Sequence, residues 1–313
     1  GFKLKGMARI SCLPNGQWSN FPPKCIRECA MVSSEYDMIL KFGSKGDAVA
    51  TLQKQLAKMG YKGVKDKPLS VDGHFGESTE FAVIQLQRKF GLVADGKVGD
   101  KTRQALAGDS VSKFLKDEDY KKAAIRLKVP ELVIRVFGAV EGLGVGFLPN
   151  GKAKILFERH RMYFYLCQAL GKTFANSQVK ITPNIVNTLT GGYKGDAAEY
   201  TRLSMAINIH KESALMSTSW GQFQIMGENW KDLGYSSVQE FVDQQQLNEG
   251  NQLEAFIRFI EWKPGLLEAL RKQDWDTVFT LYNGKNYKKL GYQAKFQKEW
   301  DHLEPIYREK TAA

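Results

Sequence analysis

Cysteine is scarce in this chain: there are four among 313 residues, three of them (Cys12, Cys25, Cys29) near the start, with Cys167 alone in the remainder. That excludes a disulfide scaffold for the whole chain. Histidine is as sparse. His74, His160, His210 and His302 lie far apart, without His-Glu-x-x-His or any paired Cys/His spacing. A zinc peptidase or zinc amidase therefore lacks its ligand set, and no metal is expected. A Cys/His peptidase would have to use Cys167, which follows Tyr163-Phe164-Tyr165-Leu166, the apolar setting of an inert buried thiol. There is no glycine-rich phosphate loop, and no cofactor is expected. No stretch approaches the ~18 consecutive apolar residues of a membrane span. The charges of Gly1-Phe2-Lys3-Leu4-Lys5 have no apolar run behind them, so no signal peptide is expected either.

What the chain has in excess is positive charge, 45 Lys+Arg against 34 Asp+Glu, a net +11. Residues 1–34 carry +4, residues 38–108 carry +5, and residues 109–313 carry only +4. A surface weighted in this way toward its first third is drawn to polyanions: nucleic acid, anionic lipid or a bacterial envelope. Nucleic acid is the poorest of these, since no helix-turn-helix, zinc finger or aromatic-basic RNA motif is present. The absence of a coiled-coil or long exposed apolar pattern suggests a monomer.

The chain divides into unlike parts. Residues 1–37 read as loop and extended peptide, with a turn at Pro14-Asn15-Gly16 and helix forbidden near Pro22-Pro23. Residues 38–108 begin at Met38, which reads as the start of an original protein. Val49, Leu52, Leu56 and Met59 recur there at helical steps up to Gly60. Asp72-Gly73-His74-Phe75-Gly76 with Thr79 is then echoed, 23 residues on, by Asp95-Gly96-Lys97-Val98-Gly99 with Thr102. Each reads as a tight turn leading into a helix, over 78–90 and 102–106. Residues 109–128 form a linker and a first helix. Residues 129–313 are mostly helical by periodicity. Pro130 opens a helix carrying Val133, Phe137 and Val140 that stops at Glu141-Gly142. Later helices fall at about 197–210, 239–259, 266–271, 276–282 and 292–307, with a short strand over 154–158. The expected fold class is mainly α: a small three-helix unit and a larger α-rich one with a short β element, behind an irregular N-terminal peptide.

With metal, thiol and phosphate-loop chemistry set aside, carboxylates remain. Glu141 ends an apolar helix and is followed by the flexible, uncharged Gly142-Leu143-Gly144-Val145-Gly146-Phe147. A carboxyl half-buried among apolar groups has its charged form disfavoured, so it can deliver a proton near neutral pH. Glycoside cleavage needs such an acid beside the bridging oxygen. Taken alone, though, a glutamate at a helix end is ordinarily just solvated. Glu158 can stabilise positive charge at an anomeric carbon or position water. It can equally be a structural partner of Arg159, Arg161 or His160. Trp220, Trp230, Trp262, Trp275 and Trp300 are too many to be all sugar platforms, and most read as core.

Resemblances weigh these readings. Glu141-x-x-Gly-x-Gly-Phe is followed by Lys154-Ile155-Leu156-Phe157-Glu158-Arg159-His160, by Ala214-Leu215-Met216-Ser217-Thr218-Ser219-Trp220-Gly221-Gln222-Phe223-Gln224-Ile225-Met226-Gly227, and by Tyr282-Asn283-Gly284 with Tyr287. In this order they resemble the signatures of the N-acetylmuramidase family of phage endolysins, related to the lysozyme superfamily, over about 129–313. The resemblance implies a lysozyme-like catalytic domain with Glu141 as catalytic acid and Glu158 as the candidate second carboxylate. It also implies a glycan cleft where Ser219 and Gln224 hydrogen-bond N-acetyl or hydroxyl groups and Tyr282 and Asn283 line the groove, with Trp220 inside the second signature. Gln224 can also be a core-capping amide. The chain departs from its relatives at Gly142-Leu143, where they carry Ser and Gly. The implied reaction is hydrolysis of the β-1,4 bond between N-acetylmuramic acid and N-acetylglucosamine. Lytic transglycosylase chemistry on that bond is the nearest alternative, and a non-catalytic wall-binding or envelope-disrupting protein is another.

The Asp-Gly repeat, with Gly43-Ser44-Lys45-Gly46-Asp47-Ala48-Val49 and Leu52-Gln53 before it, resembles the three-helix peptidoglycan-binding domain of cell-wall hydrolases. That implies peptidoglycan as a partner and marks Asp72, Gly73, Phe75, Gly76, Asp95, Gly96 and Gly99. Cys12-Leu13-Pro14-Asn15-Gly16-Gln17-Trp18-Ser19, then Phe21-Pro22-Pro23-Lys24-Cys25, resembles the second half of a sushi (complement-control) module. Residues 1–34 are similar to the lipopolysaccharide-binding sushi segment of horseshoe-crab clotting factors. Lipopolysaccharide is then a second partner, with Lys3, Lys5 and Arg9 meeting lipid phosphates while Phe2, Leu4, Ile10 and Trp18 enter acyl chains. Together the resemblances imply an engineered fusion that acts on the bacterial envelope from outside. Its parent endolysin would stay in the cytoplasm of the infected host until lysis.

Overall fold

The computed structural model describes residues 2–5, 24–27, 38–142, 144–284 and 287–308. Among them fourteen α-helices carry most of the architecture, with one three-stranded sheet and one two-stranded ladder, so the chain is mainly α. The ladder pairs β1 (Phe2–Lys5) antiparallel with β2 (Lys24–Arg27), Phe2 opposite Arg27. Lys3 and Lys5 lie on β1, while Arg9 and Trp18 fall outside the described residues.

α1 (Asp47–Lys58), α2 (Glu77–Lys89) and α3 (Asp100–Ala107) close around Leu52, Leu56, Phe75, Val83, Leu86 and Ala105. Each Asp-Gly turn is bracketed by a buried glutamine from the preceding helix. Gln53 accepts from the backbone N–H of Asp72 (3.1 Å) and Gly73 (2.9 Å), and donates to the Asp72 carboxylate (2.9 Å) and the His74 carbonyl (2.9 Å). Gln87 does the same in the second repeat, accepting from Gly96 N–H (2.9 Å) and donating to the Asp95 carboxylate (2.8 Å) and the Lys97 carbonyl (2.9 Å). A buried amide with its hydrogen bonds made fixes a turn that sequence alone leaves loose.

The larger unit starts with α4 (Asp117–Leu127) and α5 (Glu131–Glu141), which pack on one another and, for α5, on the closing helix α14 (Tyr292–Arg308). Pro130 precedes α5, and Val133, Ile134, Val136 and Phe137 form its buried face. β3 (Ile155–Phe157), β4 (Thr218–Trp220) and β5 (Ile225–Met226) make the antiparallel sheet, with Leu156 opposite Ser219 and Ser219 opposite Met226. α6 (Arg159–Leu170), α7 (Lys172–Ile181), α8 (Ala198–Ile209) and α9 (Lys211–Met216) lie between β3 and β4 in the chain. α10 (Val238–Leu247), α11 (Glu249–Trp262), α12 (Leu266–Lys272) and α13 (Trp275–Asn283) follow β5. The single helix expected over 239–259 is thus two. Asn248 breaks it in an extended conformation and caps α11, accepting from Asn251 N–H at 2.9 Å.

Candidate active site

Glu141 is the last residue of α5, one turn beyond the buried Phe137. Beneath it the Tyr282 ring stands edge-on to Phe137 (5.4 Å), Phe256 (5.6 Å) and Phe259 (5.6 Å). Asn283, closing α13, donates its Nδ2 hydrogen to Glu141 Oε1 at 2.9 Å. Burial pushes the Glu141 carboxyl from its ordinary 4.5 up to about 7, opposed by the Asn283 hydrogen bond and by the charge of Lys295. A helix C-terminus also presents the negative end of the backbone dipole, which resists a carboxylate there. Burial and the nearby Glu141 charge raise the Tyr282 and Tyr292 hydroxyls in turn. The site therefore holds a proton near neutrality on an oriented carboxyl.

The segment after Glu141 is held from both sides. A Cβ on Gly142 would sit 2.7 Å from the Gly138 carbonyl and 2.9 Å from Gln222 Nε2. One on Gly146 would collide with Gln252 Oε1. The glycines of the Glu141-x-x-Gly-x-Gly-Phe motif thus include one that permits close packing on α11. Gly146 N–H donates to Glu249 Oε1 (2.7 Å), and its carbonyl accepts from Lys154 N–H (2.8 Å). That bond ties the segment to the entry of β3.

Ser219, Trp220 and Gln224 lie on the β4–β5 hairpin; Ser219 and Gln224 direct their polar groups into it, while the Trp220 indole N–H donates to the Leu215 carbonyl on α9 at 3.4 Å. Ser219 Oγ donates to Gln224 Oε1 (2.8 Å), and Gln224 Nε2 donates to the Gly221 carbonyl (2.8 Å). Trp220 is 2% exposed, a core residue whose ring does not face a groove. Glu158, the residue before α6, stands apart. Its two oxygens accept from the Tyr193 hydroxyl at 3.0 and 2.9 Å, and it lies 3.2 Å from His160 Nδ1 without hydrogen-bond alignment. Arg159 turns to the Leu189 and Thr190 carbonyls and Arg161 to Glu228, so neither pairs with Glu158. Among the described residues no hydrogen bond links Glu158 to Glu141.

Three polar residues near the site escaped sequence reading. Gln222 is buried against Gly142, takes the Gln252 Oε1 on its backbone N–H (2.7 Å), and leaves its own Oε1 without a partner. Its only signal was position beside Gln224 in the second signature. Glu249 and Gln252 are fully buried on α11, where one helical turn separates them. In the small unit, the first repeat borders a cavity of about 320 Å³ lined by Gln53, Asp72, His74, Gly76 and Thr79. Phe75 is buried beneath this turn, and Gly76 and Gly99 precede α2 and α3. The second repeat faces the larger unit: Lys97 pairs with Glu299 at 2.6 Å, and the Asp95 carbonyl lies 2.6 Å from His302 Nε2. No group of three or more metal-ligating side chains occurs among the described residues. No helix among them is long and apolar enough to cross a membrane.

Family comparison agrees with the mainly helical fold. The N-acetylmuramidase family profile matches residues 131–304, over half of the chain, and the chain belongs to that family. It is a peptidoglycan-hydrolysing enzyme. A putative peptidoglycan binding domain matches residues 45–106 and a sushi repeat matches residues 1–25. Among solved structures, the Burkholderia AP3 phage endolysin aligns at a TM-score of 0.78 and 42% identity, over 84% of this chain and 98% of that one. Clotting factor C of Tachypleus tridentatus is 91% identical over 34 residues, 11% of this chain and 3% of that protein. A probable N-acetylmuramoyl-L-alanine amidase of Bacillus licheniformis is 37% identical over 83 residues, 26% of this chain and 23% of that one. The chain thus spans under a quarter of either curated relative. A phage-type muramidase carrying a segment so close to an animal clotting factor fits an engineered fusion.

Proposed function

We propose that the enzyme hydrolyses the β-1,4 bond between N-acetylmuramic acid and N-acetylglucosamine, with Glu141 as general acid. The observation that carries this reading is the Glu141 carboxyl, buried to a pKa of about 7 and aimed by Asn283. Its proton passes to the bridging oxygen as the C1–O bond breaks and an oxocarbenium-like centre forms. Water adds at C1, and the proton it releases balances the carboxylate. Asn283 borders this carboxyl and lines the groove for the sugar beside it, over a floor that Tyr282 helps to build. The β4–β5 hairpin, held by the Ser219–Gln224 hydrogen bond, reaches the residue after the acid through Gln222, which packs on Gly142. Glu158 holds Tyr193 and supports the cleft rather than reacting.

The unit within 38–108 keeps the enzyme on its insoluble substrate, where a second contact raises local concentration. The first Asp-Gly repeat, with its open cavity, is the face offered to peptidoglycan. The peptide within 1–37 targets lipopolysaccharide, its near identity to clotting factor C over 34 residues supporting that role.

The test compares wild type and Glu141→Gln on purified peptidoglycan by mass spectrometry of the soluble products. Reducing muropeptides from the wild type, and none from a folded, wall-bound variant, are expected. Products with 1,6-anhydro ends would replace hydrolysis by transglycosylation, and undiminished release by the variant would remove Glu141 from the mechanism. Deleting residues 1–37 is expected to abolish killing of intact Gram-negative cells while sparing digestion of purified peptidoglycan.

A further inference from the structure

The wall-binding unit does not hang on a free tether. Ile84 and Ala94 belong to the same apolar core as α5 and α14, and the Ala94 carbonyl accepts from the Tyr307 hydroxyl at 3.1 Å. One contact at this junction reaches further than the rest. Glu249 heads α11 with its carboxylate wholly buried and accepts three donors from three parts of the chain. Lys101 Nζ, on α3 of the wall-binding unit, lies 2.6 Å away; Leu115 N–H, in the connection, at 2.8 Å; and Gly146 N–H, five residues past Glu141, at 2.7 Å. One turn along α11, Gln252 spans the same segment. Its Oε1 accepts from Gln222 N–H at 2.7 Å and its Nε2 donates to the Gly146 carbonyl at 3.4 Å.

A buried carboxylate stripped of one partner is costly, and its remaining bonds rearrange to compensate. Lys101 is the one donor of the three that comes from the other unit. Its loss leaves the carboxylate held only by the two backbone groups, one of which fixes the segment bordering the acid. We propose that Glu249 is a positioning residue for the glycosidase reaction, coupling the docked wall-binding unit through Lys101 to residues 144–147 beside the acid. Lys101 then serves the cleavage step itself as well as attachment. This rests on Glu141 as the acid.

The test uses the full chain and a short soluble oligosaccharide of alternating N-acetylglucosamine and N-acetylmuramic acid, too short to reach the wall-binding unit from the cleft. Lys101→Met is expected to lower kcat by roughly tenfold to a hundredfold with KM within about twofold, as a displaced catalytic segment would. Amide hydrogen exchange at Gly146 is expected to quicken in the same variant, and Lys101→Arg should restore both. Glu249→Gln is expected to match Lys101→Met; if it fails to fold, Lys101→Met alone decides, since that side chain is 21% exposed and methionine keeps most of its length. Lys97→Met, which cuts the Glu299 bridge elsewhere in the junction, is the control expected to leave kcat unchanged. An unaltered kcat in Lys101→Met, or equal losses in Lys101→Met and Lys97→Met, would overturn the coupling. Gly146 exchange is read without activity, so its response to Lys101→Met separates failure of the coupling from failure of Glu141 as the acid.

Discussion

Glu141 and Glu158 are both glutamates at helix ends, and the structure gives them opposite surroundings. Glu141 closes α5, over an apolar floor, with Asn283 as its hydrogen-bond donor. Glu158 precedes α6, at the positive end of the helix dipole, with the Tyr193 hydroxyl against both oxygens. One holds its proton up to about neutral pH, and the other is engaged in local bonds. Environment tells the two carboxyls apart, since residue type cannot.

The sharpest way to break this contrast is Glu141→Gln, which keeps the shape and an acceptor for Asn283 but has no proton to give. Loss of a positioned general acid costs typically 10²–10⁴-fold, so a kcat lower by about three orders of magnitude is expected with wall binding intact. Initial rates on soluble glycan check it. In the wild type, kcat/KM should fall by about tenfold per pH unit above about 7, as Glu141 loses its proton.

Stability should follow the same group. A carboxyl with a pKa of 4.5 when unfolded and about 7 when folded favours the fold in its protonated form. That contribution is fully present below pH 4.5 and is lost as pH rises through 7, about 3 kcal/mol in all. Thermal unfolding of Glu141→Gln should therefore exceed the wild type at about pH 8 and approach it at about pH 4. A variant that is no more stable than the wild type in alkali would mean that the carboxyl is not strained by burial.

Asn283→Ala comes next. It removes the hydrogen bond that holds the Glu141 pKa down, so the alkaline limb should move upward while kcat falls by about tenfold, one net hydrogen bond's worth of orientation. A lower kcat with an unmoved limb would make Asn283 a substrate contact only.

How much of this was legible from sequence follows a physical line. The helix ending at Glu141 could be read because an apolar stripe and a terminating glycine are local signals, whereas the role of acid came only with the resemblance to the muramidase signatures. The Asp-Gly repeats could be read for the same reason. Gln87, Glu249 and Gln252 could not, because a buried amide or carboxylate that fastens a loop looks like any surface polar residue until its partners, for Glu249 more than a hundred positions away, are folded beside it. α6 and α7 were missed because few of their side chains are buried, Met162 and Leu166 on α6 and Ala175 on α7. The break at Asn248 was readable in principle, since asparagine is a preferred helix cap, but a continuous apolar period ran across it.

The mildest perturbations fall on Glu158. If it supports the cleft, Glu158→Gln should keep kcat within about tenfold and cost about 1 kcal/mol of stability, the worth of one or two partly exposed hydrogen bonds. Tyr193→Phe, which deletes the hydroxyl from the same pair, should cost less still and leave the pH limb in place, because nothing in that contact touches Glu141. The two variants together form a stringent comparison. Should Glu158→Gln lose as much rate as Glu141→Gln while Tyr193→Phe stays near wild type, the negative charge of Glu158 itself would be required. The chemistry would then belong to two carboxylates instead of one.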